Sequence, residues 1–172
     1  MKRFIIVLVI CISTAAFAQE NFSPAQQYIK TVAKTVGESM CIKNETYNMC
    51  FGKTLQAIAW QESSFGKHNI GDDGTSFGPF QIKLSTARRI IRHFKMKFFY
   101  SLLKNKKKLK SKLLFDPWFS ARIAARYIKM NYSYGLRTDH WDPWVLTVSR
   151  YNGGNFNQKY LDKIVQKIKD LS

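Results

Sequence analysis

Eleven acids and three histidines are all that this chain of 172 residues offers for proton transfer by carboxyl or imidazole groups. They are not grouped as metal ligands are: there is no HExxH and no paired CxxC, so no metal and no cofactor are expected. Glu62 stands apart from the other acids, because Leu55, Ile58 and Ala59 precede it at i−7, i−4 and i−3. Helical geometry puts such a carboxyl on the apolar face of its own helix. Low dielectric disfavours the charged form, which keeps a glutamic acid protonated near neutral pH and fit to act as a general acid. The plainer alternative is a helix-end glutamate that escapes to solvent. A second pattern, Gly74-Thr75-Ser76-Phe77-Gly78, fits the GxSxG of serine hydrolases. That elbow needs a buried strand before it, yet Gly66 to Asp73 is polar and turn-like, and the strands and helices of that fold do not alternate along this chain.

The elements that must position Glu62 read as helices almost throughout. Ser23-Pro24 is a cap and first-turn pair, followed by Ile29, Val32, Val36 and Met40 at spacings of three and four. A second helix begins near Gly52 and carries Leu55, Ile58 and Ala59. Between Asn69 and Gln81 the composition turns to Gly, Asp, Thr and Ser, with Asp73-Gly74 as a turn signal, and a loop or small hairpin is expected. After Ile82 a basic stretch, apolar at Ile90, Ile91, Phe94, Phe98, Phe99 and Leu102, continues as helix into a lysine-rich run over 104–112. Asp116-Pro117 and Asp142-Pro143 each open a further helix, the first with a small-residue face at Ala121, Ala124 and Ala125. Leu161, Ile164, Val165 and Ile168 form a last stripe. The fold class is mainly α, one domain, with one irregular segment.

Lys2 and Arg3 precede an apolar run from Phe4 to Ile12, and Ala15, Ala16 and Ala18 follow. That is a secretory signal pattern over residues 1–18, with cleavage expected near Ala18, leaving 19–172 as the mature domain. An uncleaved anchor is disfavoured because the apolar run falls well short of the roughly 20 residues that span a bilayer. A lipid anchor at Cys11 is disfavoured by the bulky Ile10 before it. Cys41 and Cys50 then remain, and in an exported protein they most simply form one disulfide; two free thiols are the alternative. The formal net charge is +17, which loss of Lys2 and Arg3 lowers by two to +15. Such a field favours polyanionic surroundings, and export points to anionic lipid or cell wall rather than nucleic acid.

The stretch Ala57-Ile58-Ala59-Trp60-Gln61-Glu62-Ser63-Ser64-Phe65 resembles the glutamate-serine motif of Slt-type lytic transglycosylases, relatives of goose-type lysozyme. Three more blocks follow in that family's order. Gly74-Thr75-Ser76-Phe77-Gly78-Pro79-Phe80-Gln81-Ile82 is similar to its glycine-rich block, which usually ends in Gly-Leu-Met-Gln-Ile. Asp116-Pro117 with Ser120, Ala121, Ala124 and Tyr127-Ile128 is similar to its aspartate-proline helix, and Ser149-Arg150-Tyr151-Asn152-Gly153-Gly154 to its Ala-Tyr-Asn-Ala-Gly block. The likeness covers about residues 50–160, with the lysine-rich segment at about 84–115 longer than the family usually has.

The resemblance implies a lysozyme-like fold, α+β with a minimal hairpin, in which the glutamate helix faces a sugar-binding cleft. It implies a periplasmic enzyme that cuts the bond between N-acetylmuramic acid and N-acetylglucosamine in peptidoglycan and leaves 1,6-anhydro ends. Glu62 would be its catalytic acid and base, and Ser63, Ser76, Phe80, Gln81, Tyr151 and Asn152 its substrate-binding positions. Tyr151 is expected to hydrogen-bond and orient Glu62, and Phe80, standing where the family commonly has methionine, to pack a sugar ring. Arg150 replaces a customary alanine and is expected to bring bulk and charge near the site. Small single-domain relatives serve secretion, conjugation or phage-entry assemblies, and a monomer is expected. Two alternatives stay open: a muramidase using Glu62 with Asp72 or Asp73, and a basic wall-binding scaffold without activity.

Overall fold

The computed structural model describes residues 21–43, 48–138 and 140–172. The signal pattern over 1–18 lies outside them. In chain order the elements are α1 (Pro24–Glu38), β1 (Ile42–Lys43), β2 (Asn48–Met49), α2 (Gly52–Ser63), β3 (Ile70–Gly71), β4 (Ser76–Phe77), β5 (Ile82–Lys83), α3 (Leu84–His93), α4 (Tyr100–Leu103), α5 (Lys106–Phe115), α6 (Pro117–Arg137), α7 (Pro143–Ser149) and α8 (Gln158–Asp170). Short 3-10 turns occupy Asp72–Gly74 and Lys97–Phe99.

The helices start where side chains can satisfy their free N–H groups. Ser23 and Gln26 form a capping box at α1, with the Ser23 N–H donating 2.9 Å to Gln26 Oε1. Asp116 accepts from Phe119 N at 2.8 Å at the head of α6, and Asp142 accepts from Trp144 N at 2.8 Å at the head of α7. Proline follows each of these caps, where its missing N–H costs nothing.

α6 is the central element, packing against α1, α3, α5 and α7 with Ala121, Ile123, Ala124, Ala125 and Ile128 fully buried. Its alanines let neighbouring backbones come close. α2 is buried on nearly every side, from Thr54 through Ala59, between α1 and α8. Gly37 makes the α1 contact possible, since a Cβ there would lie 2.5 Å from the Phe51 carbonyl oxygen. A disulfide joins Cys41 to Cys50 across the β1–β2 hairpin, so the paired reading of the two cysteines holds.

The Gly-rich stretch is more ordered than a loop or single hairpin. β3, β4 and β5 form a three-stranded antiparallel sheet with Ile70 opposite Phe77 and Phe77 opposite Ile82. The lysine-rich run is helical because Leu109 and Leu113, four apart, are fully buried, each stabilising the packed state by roughly 1.5–3 kcal/mol. Gly78 sits against the end of α5, where an added Cβ would fall 2.1 Å from the Leu113 carbonyl oxygen. α5 therefore braces the sheet. Phe98, read with the apolar face of the basic stretch, is instead 89% exposed in a 3-10 turn, because the helix breaks at Phe94 and restarts at Tyr100.

Candidate active site

Glu62 is the penultimate residue of α2, and the backbone turns sharply after it: Ser64 and Phe65 adopt left-handed conformations at φ 50° and 55°. The turn is latched by Ser63, whose hydroxyl donates to the Pro79 carbonyl at 2.8 Å and accepts from Gly66 N at 2.7 Å. The latch ties the Glu62 helix to the end of the sheet segment.

The Glu62 side chain is partly buried, and its Oε1 accepts a 2.6 Å hydrogen bond from the Tyr160 hydroxyl of α8. Burial raises the carboxyl from its ordinary 4.5 to about 7; the Tyr160 hydrogen bond works against that rise, and the charge of Asp72 adds to it. The expected apolar placement is thus what the packing produces. A substantial fraction of Glu62 is protonated at neutral pH.

In front of it lies a cleft of about 490 Å³, lined by Glu62, Asp72, Gln81, Tyr127, Tyr151 and Asn152, with Lys83 and Arg89 on one side. Asp72 is held on a left-handed backbone at φ 49° and accepts from the Ser76 hydroxyl at 2.7 Å, with Lys83 Nζ 3.4 Å away. The Ser76 hydrogen bond, then Lys83, hold its carboxyl below the ordinary carboxylate range despite some desolvation. One cleft therefore contains a carboxyl that keeps its proton and one that loses it. Among the described residues no three His, Cys, Asp or Glu side chains gather as metal ligands.

Gln81 lines the floor on a left-handed backbone at φ 46°, its Nε2 donating to the carbonyls of His68 at 2.9 Å and Gly78 at 3.0 Å. Its Oε1 crowds Gly71, where an added Cβ would come within 2.3 Å and push the Gln81 amide aside. Asn152 is exposed at the mouth.

Several expected roles need correction. The Tyr151 hydroxyl donates to the Phe80 carbonyl at 2.9 Å, and the residue that hydrogen-bonds Glu62 is Tyr160. Tyr151 still lines the cleft, and burial, with the nearby Glu62 charge, pushes its phenol well above the ordinary range, so it remains a donor. Phe80 is wholly buried and offers no face to a sugar; its ring belongs to the core and only its carbonyl serves the site. Ser63 and Ser76 are buried, with their hydroxyls spent on Pro79 and Asp72. They position the site. Arg150 swings away from the cleft, its guanidinium 4.4 Å from the Tyr134 ring centre. Asp73 is exposed and does not line the cleft, whereas Asp72 does.

One signal in the sequence marks Tyr160. The residue precedes Leu161 and stands four residues before Ile164, on the buried stripe of α8, following the Asn157 cap. A tyrosine on such a stripe needs a polar partner for its hydroxyl.

The family model described as Transglycosylase SLT domain matches residues 38–170. No curated protein and no solved structure gives a match.

Proposed function

The chain belongs to the transglycosylase SLT domain family, whose members are lytic transglycosylases that cleave peptidoglycan glycan strands, and from that premise we propose that Glu62 carries the reaction alone as acid and then as base. The observation that supports this most is the 2.6 Å bond from Tyr160 to Oε1 of a carboxyl raised to about 7 at the edge of the cleft. With Oε1 accepting, the proton resides on the other oxygen, free to face substrate.

In the proposed sequence Glu62 gives that proton to the oxygen joining N-acetylmuramic acid to N-acetylglucosamine. The C1–O bond breaks and its electron pair leaves with the oxygen. The oxocarbenium-like centre is met by the substrate's own N-acetyl oxygen, a substrate-assisted exception to the paired-carboxylate pattern. The Glu62 carboxylate then takes the proton of the muramyl 6-hydroxyl as that oxygen closes on C1. A 1,6-anhydro ring results, Glu62 is protonated again, and no water is consumed.

A second reading has one observation in its favour. Asp72 is ionised in the same cleft as Glu62, the pairing of a protonated and a charged carboxyl by which a lysozyme-type hydrolase works. Digestion of purified sacculi by the wild type and by Glu62→Gln, with product masses recorded, decides between them. Anhydro ends from the wild type and none from the variant are expected. A predominance of reducing ends overturns the transglycosylase chemistry in favour of hydrolysis, and no soluble muropeptide from either protein favours a binding scaffold.

The setting is part of the same proposal: an exported, periplasmic enzyme that opens the wall locally for a secretion, conjugation or phage-entry assembly. The signal pattern over 1–18 and the Cys41–Cys50 disulfide support export, because disulfides persist in oxidising compartments.

A further inference from the structure

From Lys83 to Phe115 the chain contains no acid. Its lysines are not consumed within the fold: Lys104, Lys106, Lys107 and Lys108 are exposed and have no ion pair among the described residues. At about 100° per residue, Lys107, Lys108, Ser111 and Phe115 fall on the side of α5 opposite the buried Leu109 and Leu113. Phe115 is 79% exposed and Phe98 is 89% exposed. Phe98 packs edge-on against Phe99 at 5.2 Å, and Phe99 lies 4.8 Å from Phe119 in the first turn of α6, just past the end of α5 at Phe115. Leu102, Lys107, Lys108, Lys112, Phe115 and Asp116 line a shallow surface depression in which Lys112 is paired with Asp116 while Lys107 and Lys108 are unpaired among the described residues.

We propose that this face docks on an anionic phospholipid surface, with Phe98 and Phe115 entering the interface and the unpaired lysines meeting the head groups. Charge complementarity with lipid phosphate supplies the attraction, and the apolar rings give the surface what a purely ionic patch lacks. A glycan is a poorer fit. Sugar sites pair hydroxyls with acceptor side chains, and the one carboxylate lining this depression, Asp116, is already taken by Lys112 and the Phe119 N–H. Duplex nucleic acid would use the lysines but leave two protruding phenylalanines without a partner. Since the Leu113 carbonyl lies against Gly78, docking through the outer side of α5 holds the cleft at a set distance from the lipid.

The test is co-sedimentation of the full chain with vesicles of equal parts phosphatidylglycerol and phosphatidylcholine, and with vesicles of phosphatidylcholine alone. Binding to the first and not the second is expected. A lysine at an anionic leaflet contributes about a fivefold factor, so Lys107→Gln/Lys108→Gln should weaken binding about 25-fold. Phe98→Ser/Phe115→Ser should weaken it at least about tenfold, with circular dichroism and cleavage of soluble glycan strands unchanged. Failure to bind the anionic vesicles overturns the proposal. So does full binding by the phenylalanine variant, or tighter binding to duplex DNA or sacculi that depends on the lysines alone, since either reduces the face to a general polyanion patch.

Discussion

The Tyr160 hydroxyl and Oε1 of Glu62 meet at 2.6 Å across 98 residues of sequence, joining α8 to the end of α2. Lys167 of the same helix lies 4.0 Å from the centre of the Trp60 ring, so α8 grips the α2 terminus on two sides. The contact fixes the carboxyl while the surrounding core withholds solvent. Because Glu62 also stands near a helix C-terminus, the partial negative charge of that end opposes ionisation further.

Replacing this residue should separate activity from stability. Glu62→Gln removes the proton donor and should lower cleavage of glycan strands by at least about 10³-fold. Its folded carboxyl titrates near 7 against an ordinary 4.5, so below about pH 4.5 both states are protonated and the group is neutral to folding. As pH rises toward 7 the unfolded state ionises first, and the native state loses up to about 3 kcal/mol. Glu62→Gln should therefore unfold at higher denaturant than wild type at pH 7.5, with the difference vanishing near pH 4. Equal midpoints at both pH values would contradict the raised carboxyl.

Tyr160→Phe leaves the ring in the core and removes only the donor. Since that hydrogen bond favours the charged form, its loss should push the Glu62 carboxyl higher still. The alkaline limb of kcat/KM against pH should then move to higher pH. Loss of orientation should lower kcat about tenfold at pH 6. A variant with reduced kcat and an unmoved limb would leave Tyr160 a packing residue only.

The parts of this site readable from sequence are those fixed by neighbours in the chain. The spacing of Leu55, Ile58 and Ala59 set the face of Glu62, and the Asp116-Pro117 and Asp142-Pro143 pairs marked where α6 and α7 begin. Contacts between distant segments were not readable. The Tyr160 bond depends on how α8 lies across α2, and the burial of Phe80 depends on a left-handed residue, Gln81, that no local propensity favours. Ser63 and Ser76 looked available because their types suit ligands, yet their hydroxyls are used by a carbonyl 16 residues away and by Asp72.

The disulfide closes a short loop, its two cysteines nine positions apart in sequence. Chain-entropy arguments assign such a closure roughly 2–3 kcal/mol. Reduction, or Cys41→Ser/Cys50→Ser, should lower the thermal midpoint by several degrees without altering the pH dependence of cleavage, because the hairpin lies at the opposite end of α2 from Glu62.

Gly78→Ala tests the brace between α5 and the sheet. The position combines φ +79° with a Cβ site 2.1 Å from the Leu113 carbonyl oxygen, so both backbone strain and collision oppose any side chain. A loss of about 2–4 kcal/mol in unfolding free energy is expected. Because Gln81 Nε2 bonds the Gly78 carbonyl, the shift should also raise KM for glycan strands.

Asp72→Asn bears most directly on how the cleft works. If Glu62 acts alone, the neutral amide should retain cleavage within about tenfold and still give anhydro ends, because Asp72 neither donates nor accepts the transferred proton. Removing its charge withdraws a cause of the raised Glu62 carboxyl, so the alkaline limb should move to lower pH, opposite to Tyr160→Phe. Paired-carboxylate hydrolysis predicts otherwise: loss of the charged partner should cost at least about 10²-fold. The two substitutions thus displace one titration in opposite senses through separate physical causes. The size of the activity loss at Asp72, read together with the kind of product end, distinguishes a single-acid cleft from a two-acid one.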